Sequence, residues 1–199
     1  MERARLYVTI SPDLGAEREV IGRVVAGLPV DVGWEVGYTP GPHDPPTDPL
    51  AVAQADVYIL ALGEDIRAPM GVEWSLVRRA GRTPLAFLKE VTRTPAAQEF
   101  MKTAALEWTG YRAAAELAAR VQLAMAQAIL DRAGQYQLST PEWNTLQEWV
   151  KTLRDKQSGG AEDERSGAGQ GGVIFAPSRE AGRGGVLLGD GGRQTADGG

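Results

Sequence analysis

Apolar residues along this chain recur at two spacings, and the two alternate. Residues 5–11, "RLYVTIS", form a short β-branched run that reads as a buried strand. In "PDLGAEREVIGRVVAGL", Leu14, Val20, Ile21, Val24 and Val25 share roughly one helical face. Ser11 is placed to cap that helix, and Pro12 suits its first turn. Residues 30–38, "VDVGWEVGY", give a weaker strand interrupted by Gly33 and Gly37. Residues 39–49, "TPGPHDPPTDP", are a loop by their prolines, and "LAVAQA" offers one or two helical turns. Residues 56–63, "DVYILALG", are apolar on both faces, as a central parallel strand must be. "GVEWSLVRRAGR" predicts a helix with Glu73 in its first turn and an end near Gly81. Residues 84–89, "PLAFLK", follow as a strand, with Pro84 allowed at its start. A helix from Pro95, a short edge strand in "EWTGY" and a long Ala-rich helix complete the series. The last of these carries Leu117, Val121, Leu123, Met125 and Ile129 for burial.

This alternation predicts an α/β domain over residues 1–133: an open parallel sheet of four or five strands, with right-handed crossovers and helices on both faces. Residues 134–157 form a separate amphipathic helix. Ser139 and Glu142 fit a capping box, Pro141 fits the first turn, and Trp143, Leu146, Val150 and Leu153 make a stripe widened by Trp149. That stripe either packs on its own domain or docks a protein partner. Residues 158–199 read as a flexible Gly-rich tail with two short apolar runs, at 173–175 and 186–188. Its glycines make no phosphate-binding loop, since neither nucleotide fingerprint is present.

Composition narrows the chemistry. Of 199 residues, 43% are hydrophobic, enough for one ordinary domain with an appendage. A formal charge of -5 and pI near 5.0 argue against duplex nucleic acid and anionic membrane surfaces, which select clustered cations. With no cysteine there is no disulfide, thiolate nucleophile or thiolate metal site. His43, the one histidine, leaves a Ser-His-Asp triad dependent on a loop residue, so no metal site is expected. The first residues lack an apolar signal core, and no run approaches the roughly 20 apolar residues of a membrane span. A cytoplasmic protein is expected.

An open parallel sheet binds ligands beyond the carboxyl ends of its strands, where strand order reverses. That rule selects Ser11, Pro12 and Asp13 after the first strand, and Tyr38, His43 and Asp44 after the second. After the central strand it selects Gly63, Glu64, Asp65 and Arg67, then Gly71, Glu73 and Trp74. After the fourth it selects Lys89 and Glu90. Each has a plain structural role available: a cap for Ser11, helix-dipole acids for Asp13 and Glu73, solvated charges for Glu17 and Arg18, core for Trp74. Glu73 stands out because an acid, an aromatic and glycine-flanked loops converge on one strand edge.

In order and spacing, "YVTISPDLGAERE", "ADVYILALGE" and "GVEWSLVRRAGRTPLAFLKE" resemble domain of unknown function 4062, over roughly residues 5–90. The matching positions are Ile10, Ser11, Asp13, Leu14, Glu17 and Arg18, then Asp56, Val57, Tyr58 and Gly63, then Glu73 and "GRTPLAF". Three features depart from the family pattern. The segment between Ser11 and "DL" is shorter, "EDIRAPMG" replaces a Tyr-Gly after the central strand, and Val72 stands where Thr precedes the glutamate. The family looks related to the nucleoside deoxyribosyltransferase and TIR-like group, of flavodoxin-like or deoxyribosyltransferase-like fold. That resemblance implies a helix-start glutamate acting at an N-glycosidic bond, a role that falls on Glu73. A carboxylate there stabilises positive charge developing on the sugar, or attacks the anomeric carbon. Ser11, Asp13, Gly63 and Glu64 would then surround the ligand, with Trp74 stacking on a base.

Two readings stay open. One is a nucleotide-binding or protein-interaction module in signalling or defence, with a partner at the Trp143 and Trp149 helix. The other is an N-glycosidase or deoxyribosyltransferase acting on a nucleoside or NAD, with Glu73 catalytic. Neither calls for a resident cofactor.

Overall fold

The computed structural model describes residues 3–166, with side chains through residue 157. Five strands, β1 (Ala4–Ile10), β2 (Trp34–Tyr38), β3 (Val57–Leu62), β4 (Leu85–Lys89) and β5 (Thr109–Tyr111), alternate with helices. The helices are α1 (Gly15–Ala26), α2 (Pro49–Ala53), α3 (Ala68–Arg79), α4 (Pro95–Ala104), α5 (Ala114–Asp131) and α6 (Thr140–Ser166). All strand pairings are parallel, in the order β2-β1-β3-β4-β5. The expected open α/β sheet is therefore present, with five strands. Its order reverses between β1 and β3, the position at which open α/β sheets generally take their ligands.

The strand alternation sorts side chains into two cores. Leu6, Val8, Ile10, Val57, Ile59 and Ala61 pack with α1 and α5. Tyr7, Tyr58, Leu60 and Leu62 pack on the other face with Val52, Met70, Trp74 and Val77. Every residue of β3 is buried, which confirms the reading of its two-sided apolarity. No helix among the described residues is long and apolar enough to cross a membrane.

Four boundaries differ from expectation. Helix α1 starts at Gly15 with Leu14 at its N-cap, so Pro12 lies outside it and Ser11 does not cap it. The Ser11 hydroxyl instead spans the sheet edge, donating to Asp65 O at 2.8 Å and accepting Gly63 N–H at 2.9 Å. Strand β2 is confined to Trp34–Tyr38. Helix α3 begins at Ala68 because Pro69 occupies its first turn, which places Glu73 in the second turn rather than the first. Helix α6 runs on to Ser166, past the boundary expected at residue 158. The apolar runs at 173–175 and 186–188 lie outside the described residues.

Helix α6 packs on α5 rather than standing apart. Leu146 and Val150 enter the main core, Leu153 is buried, and Trp149 packs against that core half-buried. Trp143 remains 37% exposed. The capping box forms as expected, with Glu142 accepting from Ser139 N–H at 2.9 Å.

Candidate functional site

Tyr7 and Thr9 sit two residues apart on β1, so both project to the α3 face. From the second turn of α3, Glu73 comes down onto them. The β2 end delivers Thr39, and the proline-rich segment behind it delivers Thr47. The Glu73 side chain is wholly buried, and each of its oxygens accepts two hydroxyl hydrogen bonds. Oε1 accepts from Tyr7 at 2.9 Å and Thr47 at 3.0 Å. Oε2 accepts from Thr9 at 2.6 Å and Thr39 at 2.7 Å. Four donors match the full acceptor capacity of a carboxylate. Among the described residues no Lys or Arg pairs with Glu73; neutral dipoles alone hold it.

A further layer supports the donors. Tyr58 and Thr9 share a 2.5 Å hydrogen bond, and the Tyr7 and Tyr58 rings stack, tilted by only 6°. Burial first, and then the Glu73 charge, pushes the Tyr7 hydroxyl above the ordinary phenol range; burial does the same to Tyr58. Both phenols therefore remain donors at neutral pH. Gly37 makes the Tyr7 position available, because a Cβ there would stand 2.7 Å from the Tyr7 ring. Thr39 is tied into the sheet as well, accepting Ile10 N–H at 3.1 Å.

Immediately beyond Thr39 lies a cleft of about 220 Å³ at the carboxyl ends of β1 and β2. Ser11, Gly15, Arg18, Thr39, Gly41 and Arg67 contribute to its walls. Arg18 rests over the Tyr38 ring, 4.5 Å from its centroid. A larger cavity of about 420 Å³ occupies the opposite, amino edge of the sheet. Some of its polar groups bond one another: Asp56 accepts from Arg5 N–H and Gln135, and Arg5 donates to Gln54, whereas the buried Tyr136 hydroxyl has no hydrogen-bond partner among the described residues. The carboxyl edge is the better candidate because the strand order reverses there and Arg18 and Arg67 both line its cleft.

The sequence-predicted residues divide. Ser11 reaches the cleft and ties β1 to the loop after β3. Asp13 is exposed and accepts Glu64 N–H at 3.0 Å, so its role is to fasten that same loop. Gly63 permits the approach, since a Cβ there would lie 2.1 Å from Asp13 Oδ2. The Glu64 side chain is exposed. Trp74, expected to stack on a base, is buried in the α2–α4 apolar cluster and does not line the cleft. Glu17 is not the solvated helix charge its position allows: it is 3% exposed and pairs with Lys89 at 2.7 Å, pinning α1 to the end of β4. Asp65 accepts from Thr94 at 2.6 Å, and that bond holds its carboxyl below the usual range. Among the described residues no three acidic or histidine side chains converge as a metal site.

Sequence reasoning missed Tyr7, Thr9, Thr39 and Thr47. The available signal was Tyr7 and Thr9 themselves, two polar-tipped residues on one face of an otherwise apolar strand.

No protein-family model matches this chain, and none of the curated proteins does. Among solved structures, a crystal structure of CapF with the inhibitor 3-isopropenyl-tropolone is similar at 14% identity and a TM-score of 0.32. The likeness covers 54% of this chain and 29% of that one, and it carries no argument about function.

Proposed function

We propose that this chain is a nucleoside- or nucleotide-binding module of the deoxyribosyltransferase or TIR-like type, with its site at the carboxyl edge shared by β1, β2 and β3. The observation that carries the reading is Glu73: a fully buried carboxylate without a cation, set where strand order reverses. Four hydroxyl donors are spent on keeping this group buried, where an apolar residue would serve packing without them. Freed of the Thr39 and Thr47 bonds, a carboxylate at a sheet edge would match the hydrogen-bonding needs of a sugar. The resemblance of the "DLGAER" and "DVYILALG" segments to domain of unknown function 4062 belongs to the same reading.

One observation favours a second reading, an N-glycosidase or deoxyribosyltransferase. Glu73 is oriented through both oxygens by Tyr7, Thr9, Thr39 and Thr47, and preorganisation of that kind serves a carboxylate that must meet developing positive charge. Against it stands the complete burial of Glu73, whose acceptor sites are all taken by hydroxyl donors.

One experiment separates them. Wild type and Glu73→Gln are incubated with NAD and a nucleoside panel, with binding followed by calorimetry and released base by chromatography. Binding without release is the expected result for the module. Release by wild type that Glu73→Gln lowers by orders of magnitude establishes the enzyme. Neither binding nor release removes both readings.

A further inference from the structure

We infer that Arg18 and Arg67 form a receptor for a phosphate group, so that the ligand of this edge is a nucleoside monophosphate rather than a free nucleoside. The inference rests on the nucleotide-binding reading above and names its substrate class.

Charge is the first ground. The chain carries 26 acidic residues against 21 Lys and Arg, yet the cleft beyond Thr39 is lined by two arginines and no carboxylate. Arg67 immediately precedes α3 and Arg18 lies near the start of α1, so two separate segments bring positive charge to one hollow. Neither guanidinium forms an ion pair with a described residue. The Tyr38 face beneath Arg18 holds its guanidinium in place without neutralising it. Guanidinium groups suit phosphate because their N–H fork matches two of its oxygens.

Size is the second. At about 220 Å³ the cleft falls below the roughly 300–1,000 Å³ of pockets that enclose an entire small ligand. It fits a phosphate with the adjoining part of a sugar. The Ser11 and Thr39 positions line the same walls, and Thr39 is bonded to Glu73. A phosphate held there places the attached sugar next to the Glu73 cluster, with one residue between.

The test is calorimetry on the full chain with the common nucleosides, the corresponding nucleoside monophosphates and inorganic phosphate. Monophosphates are expected to bind about tenfold or more tightly than nucleosides, as one charge-assisted hydrogen bond requires. Arg18→Gln with Arg67→Gln should abolish that preference, with circular dichroism confirming that the variant is folded. Arg18→Lys with Arg67→Lys should restore part of it, which a merely structural role would not do. Equal affinity for nucleosides and monophosphates, or a preference that survives the double Gln variant, overturns the inference and leaves the nucleoside-binding reading standing. Arginine-dependent binding of inorganic phosphate, with no gain from an attached nucleoside, keeps the anion receptor and removes the nucleotide reading. Absence of any binding removes both.

Discussion

Tyr7 and Glu73 lie 66 positions apart in the chain and meet through a 2.9 Å hydrogen bond inside the protein. That bond joins the first strand to α3 across the reversal of strand order, and both side chains are almost completely buried. Tyr7→Phe keeps the ring and its stack on Tyr58 but removes one of the two donors to Glu73 Oε1. A loss of about 1–3 kcal/mol is expected, the cost of an under-satisfied buried acceptor. Urea unfolding monitored by circular dichroism checks it. A midpoint equal to wild type would mean that the bond contributes nothing.

Gly63 and Asp13 should behave as one unit. A methyl group at position 63 must displace the Asp13 carboxylate, which then loses Glu64 N–H. Gly63→Ala and Asp13→Ala should each cost about 1 kcal/mol, the worth of that single exposed hydrogen bond. The double variant should cost no more than either alone. Additive losses in a double-mutant cycle would show that the Gly63→Ala substitution acts through something other than Asp13.

Lys89→Met leaves Glu17 buried without its partner. The side chains are 25% and 4% exposed, so the penalty should fall at or below the roughly 3–5 kcal/mol of a fully buried broken pair. Adding Glu17→Gln to Lys89→Met should recover most of the loss. Equilibrium unfolding of the three variants provides the measurement, and a double variant no better than Lys89→Met would contradict it.

Glu142 gives a pH dependence of definite sign. Hydrogen bonds from Ser139 Oγ first, then from the backbone N–H groups of Ser139 and Asp31, hold its carboxyl below the usual range. A depressed folded value means that its stabilising contribution is present above the unfolded carboxylate range. The contribution is lost as pH falls through the lower folded value. Melting temperatures of wild type and Glu142→Gln should therefore differ at neutral pH and converge in acid. A gap that persists at the acid end would assign the effect to something other than the carboxylate.

Much of this fold could be read in advance because parallel sheets leave a strong imprint. The run "DVYILALG" is apolar at odd and even positions alike, and only burial on both faces explains that. The site was less legible. Its four hydroxyl donors come from β1 and from two points around the 39–49 loop, and only the parallel pairing of β1 with β2 brings Thr39 near Glu73. A sequence read linearly puts Thr47 in a proline-rich loop and offers no reason to connect it to α3. The helix start misled in a smaller way. Gly71 and the acid at Glu73 suggested a first turn, whereas Pro69 was the true mark of entry. Trp74 was drawn toward the site by its neighbour in sequence, but on a helix adjacent residues point roughly 100° apart, and one of them had to face the core.

Thr39 and Thr47 grip opposite oxygens of the same carboxylate, so one side chain acts as the hasp for both ends of the intervening segment. Releasing both ends of the segment and freeing two of the four acceptor sites on the carboxylate are then a single equilibrium. A molecule that must touch Glu73 can associate no faster than the latch opens, and its observed rate should level off with rising concentration at a value set by the protein alone. Its apparent affinity is reduced by the fraction of molecules unlatched. Thr47→Val removes one half of the hasp without touching the Arg18 and Arg67 cleft, and should raise that ceiling.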